Sequence, residues 1–240
     1  MAEWFQQWFG ETYLDLYPHR DERDAAAVVR LISETVSLRG KRILDLACGP
    51  GRHSAILRGY ETQTIGMDLS AQLLKRARGD YSPPITVVRG DMRALPFSAA
   101  SFELVVNLFT SFGYFDSDDQ HLLVLHDVAR ILKRNGWFVL DFFNAERVRE
   151  TLVAYEELVL GGREVKVRRR ISDDGKYVLK DMELIDEGRS FLEKVRLFGP
   201  DELEQLIANA GFAVREKYGN YEGEALDANS ERALFFTVCL

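Results

Sequence analysis

Cysteine is scarce in this chain, with only Cys48 and Cys239 in 240 residues. Two thiols that far apart build no disulfide framework and have no metal-ligand spacing. His121 and His126 lie on one predicted helix without forming a metal pair, so no metal is expected. Basic charge is not in excess either: 31 Lys and Arg against 38 Asp and Glu leave a net charge of −7. That balance argues against a nucleic-acid partner, because affinity for phosphate backbones comes largely from basic residues. It leaves room for a small anionic substrate held by a local basic patch. No apolar run approaches the ~20 residues that cross a bilayer, so no membrane partner is expected. The opening "MAEWFQQWFGETYLD" lacks the pattern of a secretory signal. A reduced, cytoplasmic protein is the expectation. No repeat or low-complexity linker interrupts the chain. Its 46% hydrophobic and 29% charged residues are those of an ordinary globular domain.

The order of elements can be read next. Residues 42–47 ("RILDLA") form a short apolar strand that runs into a glycine turn, and a helix should follow from Arg52 to Leu57. Further strands are expected at 62–68, 85–91, 101–109 and 137–143. Helices are expected at 70–80, with Ser70 as N-cap, and at 118–136. Strands alternating with helices indicate a parallel sheet covered on both faces. After about residue 155 the texture becomes long alternation with turn signals at Asp174-Gly175 and Glu187-Gly188, which predicts a three-stranded antiparallel meander. A helix within 199–212 and two closing strands complete the pattern. The fold class is therefore α/β: a Rossmann-like, seven-stranded, mostly parallel sheet with helices on both faces and a β-meander inserted after the fifth strand. One domain, 1–240, is expected. It would comprise an N-terminal helical cap (1–40), a ligand-binding core (41–155), the meander (156–198) and a C-terminal helix with a strand pair (199–240).

In such sheets ligands bind beyond the carboxyl ends of the strands. Four chemically notable segments fall there: the turn Gly49-Pro50-Gly51, then Asp68, Asp91 and Asn107. A phosphate loop would need a lysine after the turn, and none follows. A dinucleotide fingerprint fits only in part, since Ser54 stands where its third glycine belongs. Asp68, 17 residues past Gly51, suits a ribose diol in either a dinucleotide or an adenosyl ligand. Asp45, just before the turn, favours a ligand with a positive amino group over one with a pyrophosphate. The glycines at 49 and 51 are expected to let a ligand approach the backbone closely.

"LDLACGPGRHS", "GMDLS" and "RGDMRALPF", in this order and spacing, resemble the first three motifs of class I S-adenosylmethionine-dependent methyltransferases. The resemblance runs over residues 42–143. It implies S-adenosylmethionine as cofactor, S-adenosylhomocysteine as product, and methyl transfer to N or O of a small molecule by in-line displacement. It also implies roles. Asp45, Ala47, Gly49 and Gly51 would face the methionine part, and Asp68, with Leu69 beside it, the ribose hydroxyls. Asp91 would take the adenine amino group, the Met92 N–H a ring nitrogen, and Asn107 would sit near the sulfonium. Ala47 departs from the glycine many members have there. "NLFTSFGYF" (107–115) is similar to the fourth-strand loop of bacterial small-molecule methyltransferases, including some acting on amino sugars.

Other features have plainer readings. Trp4, Phe5, Trp8 and Phe9 mark one face of a helix, a packing face that could also lid the cofactor together with Tyr13, Tyr17, His19 and Arg20. Cys48 reads as a packing residue, and His53 as structural or solvent-facing. "KVRRR" (166–170) reads as a solvated strand face. "HRD" (19–21) matches a kinase triplet without its companion motifs. The candidates for acceptor contact or general base are Tyr17, His19 and Tyr114. The alternatives are an NAD-type oxidoreductase and a non-catalytic S-adenosylmethionine sensor. An exposed meander edge could also pair two copies into a homodimer.

Overall fold

Short apolar runs that end on polar residues set the parallel part of the fold. The computed structural model describes residues 3–17 and 22–240. Three helices, α1 (Trp4–Trp8), α2 (Glu11–Leu16) and α3 (Glu22–Thr35), come first. The core follows as β1 (Arg42–Leu46), α4 (Arg52–Arg58), β2 (Gln63–Asp68), α5 (Ala71–Gly79), β3 (Thr86–Arg89), β4 (Phe102–Asn107), α6 (Asp118–Ile131), β5 (Leu132–Phe143) and α7 (Ala145–Thr151). Next are β6 (Tyr155–Leu160), β7 (Arg163–Ile171), β8 (Tyr177–Leu184) and β9 (Arg189–Arg196). The chain continues through α8 (Pro200–Asn209), β10 (Phe212–Tyr218) and β11 (Arg232–Cys239).

The main sheet has the order β10-β11-β5-β4-β1-β2-β3. Its first five strands in the chain run parallel, while β11 joins β5 antiparallel and β10 follows β11. Successive residues of β1 serve opposite faces. Leu44 and Leu46 pack with Val124, Leu125 and Val128 of α6, whereas Ile43 packs with Val28, Val29 and Ile32 of α3. Each such buried aliphatic side chain stabilises the sheet by roughly 1.5–3 kcal/mol. Ser70 caps α5 by accepting from the Leu73 N–H, and Ser117 caps α6 by accepting from Gln120.

Three expectations need correction. The helix expected at 118–136 ends at Ile131, and β5 starts at Leu132. Residues 133–136 bulge between the pairs Phe102–Leu132 and Leu104–Trp137, with Asn135 at φ 61°, a conformation that a helix cannot carry. The second sheet has four strands, β6-β7-β8-β9, rather than three. Gly161 and Gly162, both at positive φ, make the missing hairpin turn. The N-terminal aromatics do not share one face. The segment breaks at Gly10 and wedges between the two sheets, so Phe5 enters the main core while Trp8 enters the core of the meander.

Among the described residues, no helix is long and apolar enough to cross a membrane.

Candidate functional site

β1 and β4 are neighbours, with β2 and β3 continuing the sheet on one side and β5 on the other. This is the switch point of an open α/β sheet, where a crevice opens beyond the strand ends. A cavity of about 410 Å³ occupies it, within the size range of cofactor and ligand sites. Ala47, Cys48, Gly49 and Pro50 form its floor and Asp68 with Leu69 one wall. Asp91 and Met92 lie at one end, Leu108, Phe109 and Ser111 at the other. Phe5, Phe9, Tyr13 and Tyr17 come from the N-terminal helices to cover it.

The turn after β1 is left-handed at three positions, two of them glycines. Ala47, Gly49 and Gly51 all have positive φ, at 59°, 55° and 87°. The Gly49 N–H donates to Asp68 Oδ2 at 2.8 Å, and the Ser70 N–H donates to Asp68 Oδ1 at 2.8 Å. Asp68 is thereby held at the cavity edge with lone pairs to spare, since a carboxylate accepts at about four positions. Burial raises its pKa, although these backbone donors oppose the rise.

Gly51 is glycine for a different reason from the one expected. It lies off the cavity wall, and a Cβ there would stand 2.6 Å from Ile85 Cδ1 and 3.0 Å from Ala77 Cβ. Its missing side chain lets the turn pack on α5 and the segment before β3. Asp45 also lies beneath the turn and off the wall. It is 1% exposed and accepts from Ser54 Oγ at 2.5 Å. Burial lifts its pKa to about 7; the Ser54 hydroxyl opposes this and the nearby Asp68 charge adds to it. Gly66, opposite Asp45 on β2, leaves the space that Cys48 and Ser54 occupy. The Cys48 thiol is pushed well above its ordinary pKa by burial and by both carboxylates, so it is a packing group on the wall.

At the far end of that wall, Asp91 meets Arg93. Nε donates to both Asp91 oxygens at 3.0 and 3.2 Å, and Nη2 to Oδ2 at 2.6 Å. Burial alone would raise the Asp91 pKa, but Arg93 outweighs it and holds the carboxyl below its ordinary value.

Asn107 is off the cavity wall too. Its Nδ2 donates to the Leu46 carbonyl at 2.9 Å, which fastens β4 to β1, and its buried Oδ1 has no protein partner. Just beyond it Phe109 and Thr110 both adopt positive φ, 61° and 58°. Two consecutive non-glycine residues in this region cost energy that their surroundings must offset. Asp141, fully buried on β5, does so. Its Oδ2 accepts the Phe109 N–H at 2.8 Å and its carbonyl accepts the Thr110 N–H at 3.0 Å. Tyr221 Oη and Arg232 Nε donate to the same carboxylate, each at 2.9 Å.

The remaining sequence candidates divide. Tyr13, Tyr17, Ala47, Gly49, Asp68, Leu69, Asp91, Met92 and Tyr114 lie on the cavity wall. His19 and Arg20 fall outside the described residues. The Tyr17 hydroxyl accepts from Lys180 Nζ at 3.1 Å and lies 3.5 Å from Met182 Sδ, turned toward the meander. No meander residue reaches the wall itself. The sheet acts through Glu193, which accepts from Trp8 Nε1 at 2.7 Å, and so holds α1 in place.

Sequence reasoning did not single out Arg52 or the individual rings Phe109 and Phe115 of the 107–115 loop, and it read His53 as structural or solvent-facing without placing it on the wall. That residue is 6% exposed and lines the cavity, and burial, aided by the Arg52 charge, depresses its pKa to about 3. Its place in the first turn of α4, directly after the glycine turn, was the available signal. Among the described residues no three metal-ligating side chains gather.

The donor set fits an adenosyl sulfonium. Two acids stand along one wall, aromatic rings cover the cavity and an orphaned amide oxygen lies behind it. It suits a pyrophosphate poorly, because the Gly49 N–H of the turn is already taken by the Asp68 carboxylate.

Comparison with known proteins agrees. Residues 43–136 match the methyltransferase domain family. YqeM of Bacillus subtilis (strain 168) is 25% identical over 206 residues, covering 81% of this chain and 82% of that protein. The dTDP-3-amino-3,4,6-trideoxy-alpha-D-glucopyranose N,N-dimethyltransferase of Streptomyces venezuelae is 28% identical over 233 residues, covering 88% of this chain and 93% of its own. The CcbJ methyltransferase of Streptomyces caelestis shares the fold, with a TM-score of 0.83 at 17% identity over 97% of this chain and 98% of that one. Residues 43–136 thus carry a methyltransferase domain, and with three motifs at the ends of three adjacent strands these relatives support a class I S-adenosylmethionine-dependent methyltransferase, with S-adenosylmethionine as cofactor.

Proposed function

We propose that this enzyme binds S-adenosylmethionine across the ends of β1 to β4 and transfers its methyl group to N or O of a small molecule by in-line displacement. The observation that carries this is the placement of Asp68 and Asp91 on the cavity wall, at the ends of the two strands next to the Gly49 turn. Asp68 accepts from the ribose hydroxyls, Asp91 from the adenine amino group, and the Met92 N–H reaches a ring nitrogen. Gly49 and Ala47 lie along the methionine part. Asp45 contributes its charge from below, and Asn107 its amide oxygen from behind. The bound cofactor supplies an activated methyl group and a good leaving group. The protein's own task is then to hold the acceptor at attack distance and exclude water, an effect worth up to ~7–11 kcal/mol.

Among the described wall residues no histidine titrates near neutral pH. His53, with its pKa depressed to about 3, is a hydrogen-bonding group rather than a proton acceptor at neutral pH. The Tyr17 hydroxyl is engaged by Lys180. Tyr114, facing Phe9 across 5.7 Å, is the remaining described candidate for acceptor contact. The Streptomyces venezuelae relative, which acts on an amino sugar, supports nitrogen as the accepting atom. The unpaired edge of β6, with Tyr155 and Val159 exposed, supports a homodimer.

Incubation with methyl-labelled S-adenosylmethionine and a panel of nucleotide-linked amino sugars, free amines and phenols tests the acceptor class. Label in an amine or hydroxyl product, lost in Asp68→Ala, is the expected result. Tight cofactor binding with no label in any fraction of a cell extract would favour a sensor.

A further inference from the structure

The guanidinium of Arg93 joins two parts of the molecule that are 90 residues apart in sequence. Besides its contacts with Asp91, Nη1 donates to Glu3 Oε1 at 2.8 Å and Nη2 to Glu3 Oε2 at 2.7 Å. Its plane also lies over the Phe115 ring, 4.7 Å from the centroid. Glu3 is the N-cap of α1: its N–H donates to Gln6 Oε1 at 3.3 Å and its carbonyl accepts the Gln6 N–H at 3.0 Å, which leaves its carboxylate to Arg93. One turn on, the same helix places Phe5, Gln6 and Phe9 on the cavity wall, while Asp91, Met92 and Phe115 complete that end of the cavity.

An isolated exposed ion pair would mean little, since two long side chains must be ordered for a screened attraction. Here one planar side chain is ordered once, serves two carboxylates in fork geometry and stacks on an aromatic ring. All three carboxylate and guanidinium side chains are at most one-third exposed.

We infer that Arg93 is a positioning residue for the cofactor, bridging Glu3 and Asp91 so that closure of α1 over the adenine end and orientation of the Asp91 carboxylate are one event. The inference rests on the proposed cofactor reading of the cavity. Arg93 engages Asp91 through Nε, Nη2 and its backbone N–H, which donates to Oδ1 at 2.9 Å, so of about four acceptor positions one remains on a carboxylate that lines the cavity. Asp91 stays ionised through its contact with Arg93, as an acceptor of an amino group must. The second consequence is mutual. A ligand that fixes Asp91 steadies Arg93, and through Glu3 it steadies α1, with Phe5 and Phe9 above the ligand.

Three measurements on the full chain test this: S-adenosylhomocysteine titration by calorimetry, thermal melting, and tryptophan emission. Two of the three tryptophans, Trp4 and Trp8, lie in α1, so emission reports where that helix sits. Glu3→Gln should weaken S-adenosylhomocysteine binding about three- to tenfold with an unchanged melting temperature, and should shrink the ligand-induced emission change. Arg93→Gln should weaken binding by more than about tenfold, with Arg93→Lys recovering only part, because an ammonium cannot fork to both acids. The double variant should bind no worse than Arg93→Gln alone. If wild type binds and both single variants bind as tightly, the bridge is a fold contact and the inference is overturned. Additive effects in the double variant would overturn the coupling equally. A wild-type protein that does not bind this ligand removes the cofactor reading together with the inference.

Discussion

Asp45 and Gly51 matter for reasons that lie beneath the ligand cavity rather than on it. Asp45 has a folded pKa of about 7 against an ordinary 3.8. The fold therefore favours its neutral form. Its contribution to stability is complete below pH 3.8 and is lost as pH rises toward 7. At about 1.4 kcal/mol per pH unit the loss is bounded at about 4 kcal/mol. Asp45→Asn, which keeps a group for Ser54 and removes the titration, should be more stable than wild type at pH 8. The gap should close near pH 4, as read from urea midpoints. Binding of a ligand with a positive amino group should move the other way, tightening in wild type as pH rises through 7 and losing that slope in Asp45→Asn. Gly51→Ala should lower stability by roughly 1–3 kcal/mol, because its φ is 87° and the new Cβ meets Ile85 and Ala77. Gly49→Ala meets only ordinary contact, at 3.9 Å from Leu73. It should cost less in a melting experiment and more in ligand affinity. At this scale the sequence showed which residues cluster at strand ends. Which atom of each faces the cavity depends on backbone twist and burial, so Asp45, Gly51 and Asn107 could not be told apart from Gly49 and Asp68.

The elements were legible where one physical signal dominated. β1 to β4 are apolar runs ended by polar residues, and their positions followed from that alone. Where two signals compete the reading failed. The α6 pattern runs on through residues 132–136, yet Leu132 is drawn into the ladder opposite Phe102, and the bulge absorbs the surplus. β6 alternates as a strand should and falls within the stretch read as the meander, but only the Asp174-Gly175 and Glu187-Gly188 turns were counted, and the Gly161-Gly162 turn was not. That turn also carries α2: a Cβ on Gly161 would lie 1.9 Å from the Asp15 carbonyl oxygen. Gly161→Ala should thus loosen α2 and speed proteolysis near residues 10–17 without unfolding the main sheet, as mass-resolved limited digestion would reveal. The Asp141–Tyr221–Arg232 cluster gave no sequence signal, because its members come from β5, a loop and β11 and meet only in the folded sheet. Asp141→Ala leaves Arg232, whose side chain is 19% exposed, without its counter-charge and frees the Phe109–Thr110 turn. A loss of about 3–5 kcal/mol is expected from denaturant unfolding.

For the whole molecule, the order β3-β2-β1-β4-β5 brings four chain segments to one crevice, and the rest of the fold closes it. The second sheet has no residue on the cavity wall, but it grips Trp8 and Tyr17, so its effect on the ligand passes through the N-terminal helices. A site assembled in this way has its cofactor side written in local motifs and its acceptor side in long-range packing. That is why the cofactor was readable from sequence and the acceptor was not. The central claim is that the crevice holds an adenosyl sulfonium. Calorimetric titration of the purified chain with S-adenosylhomocysteine tests it most directly. The account predicts micromolar or tighter binding, weakened at least about tenfold in Asp68→Ala, where a charged hydrogen-bond acceptor is lost. Absence of heat with that ligand, alongside clear binding of NAD, would contradict it.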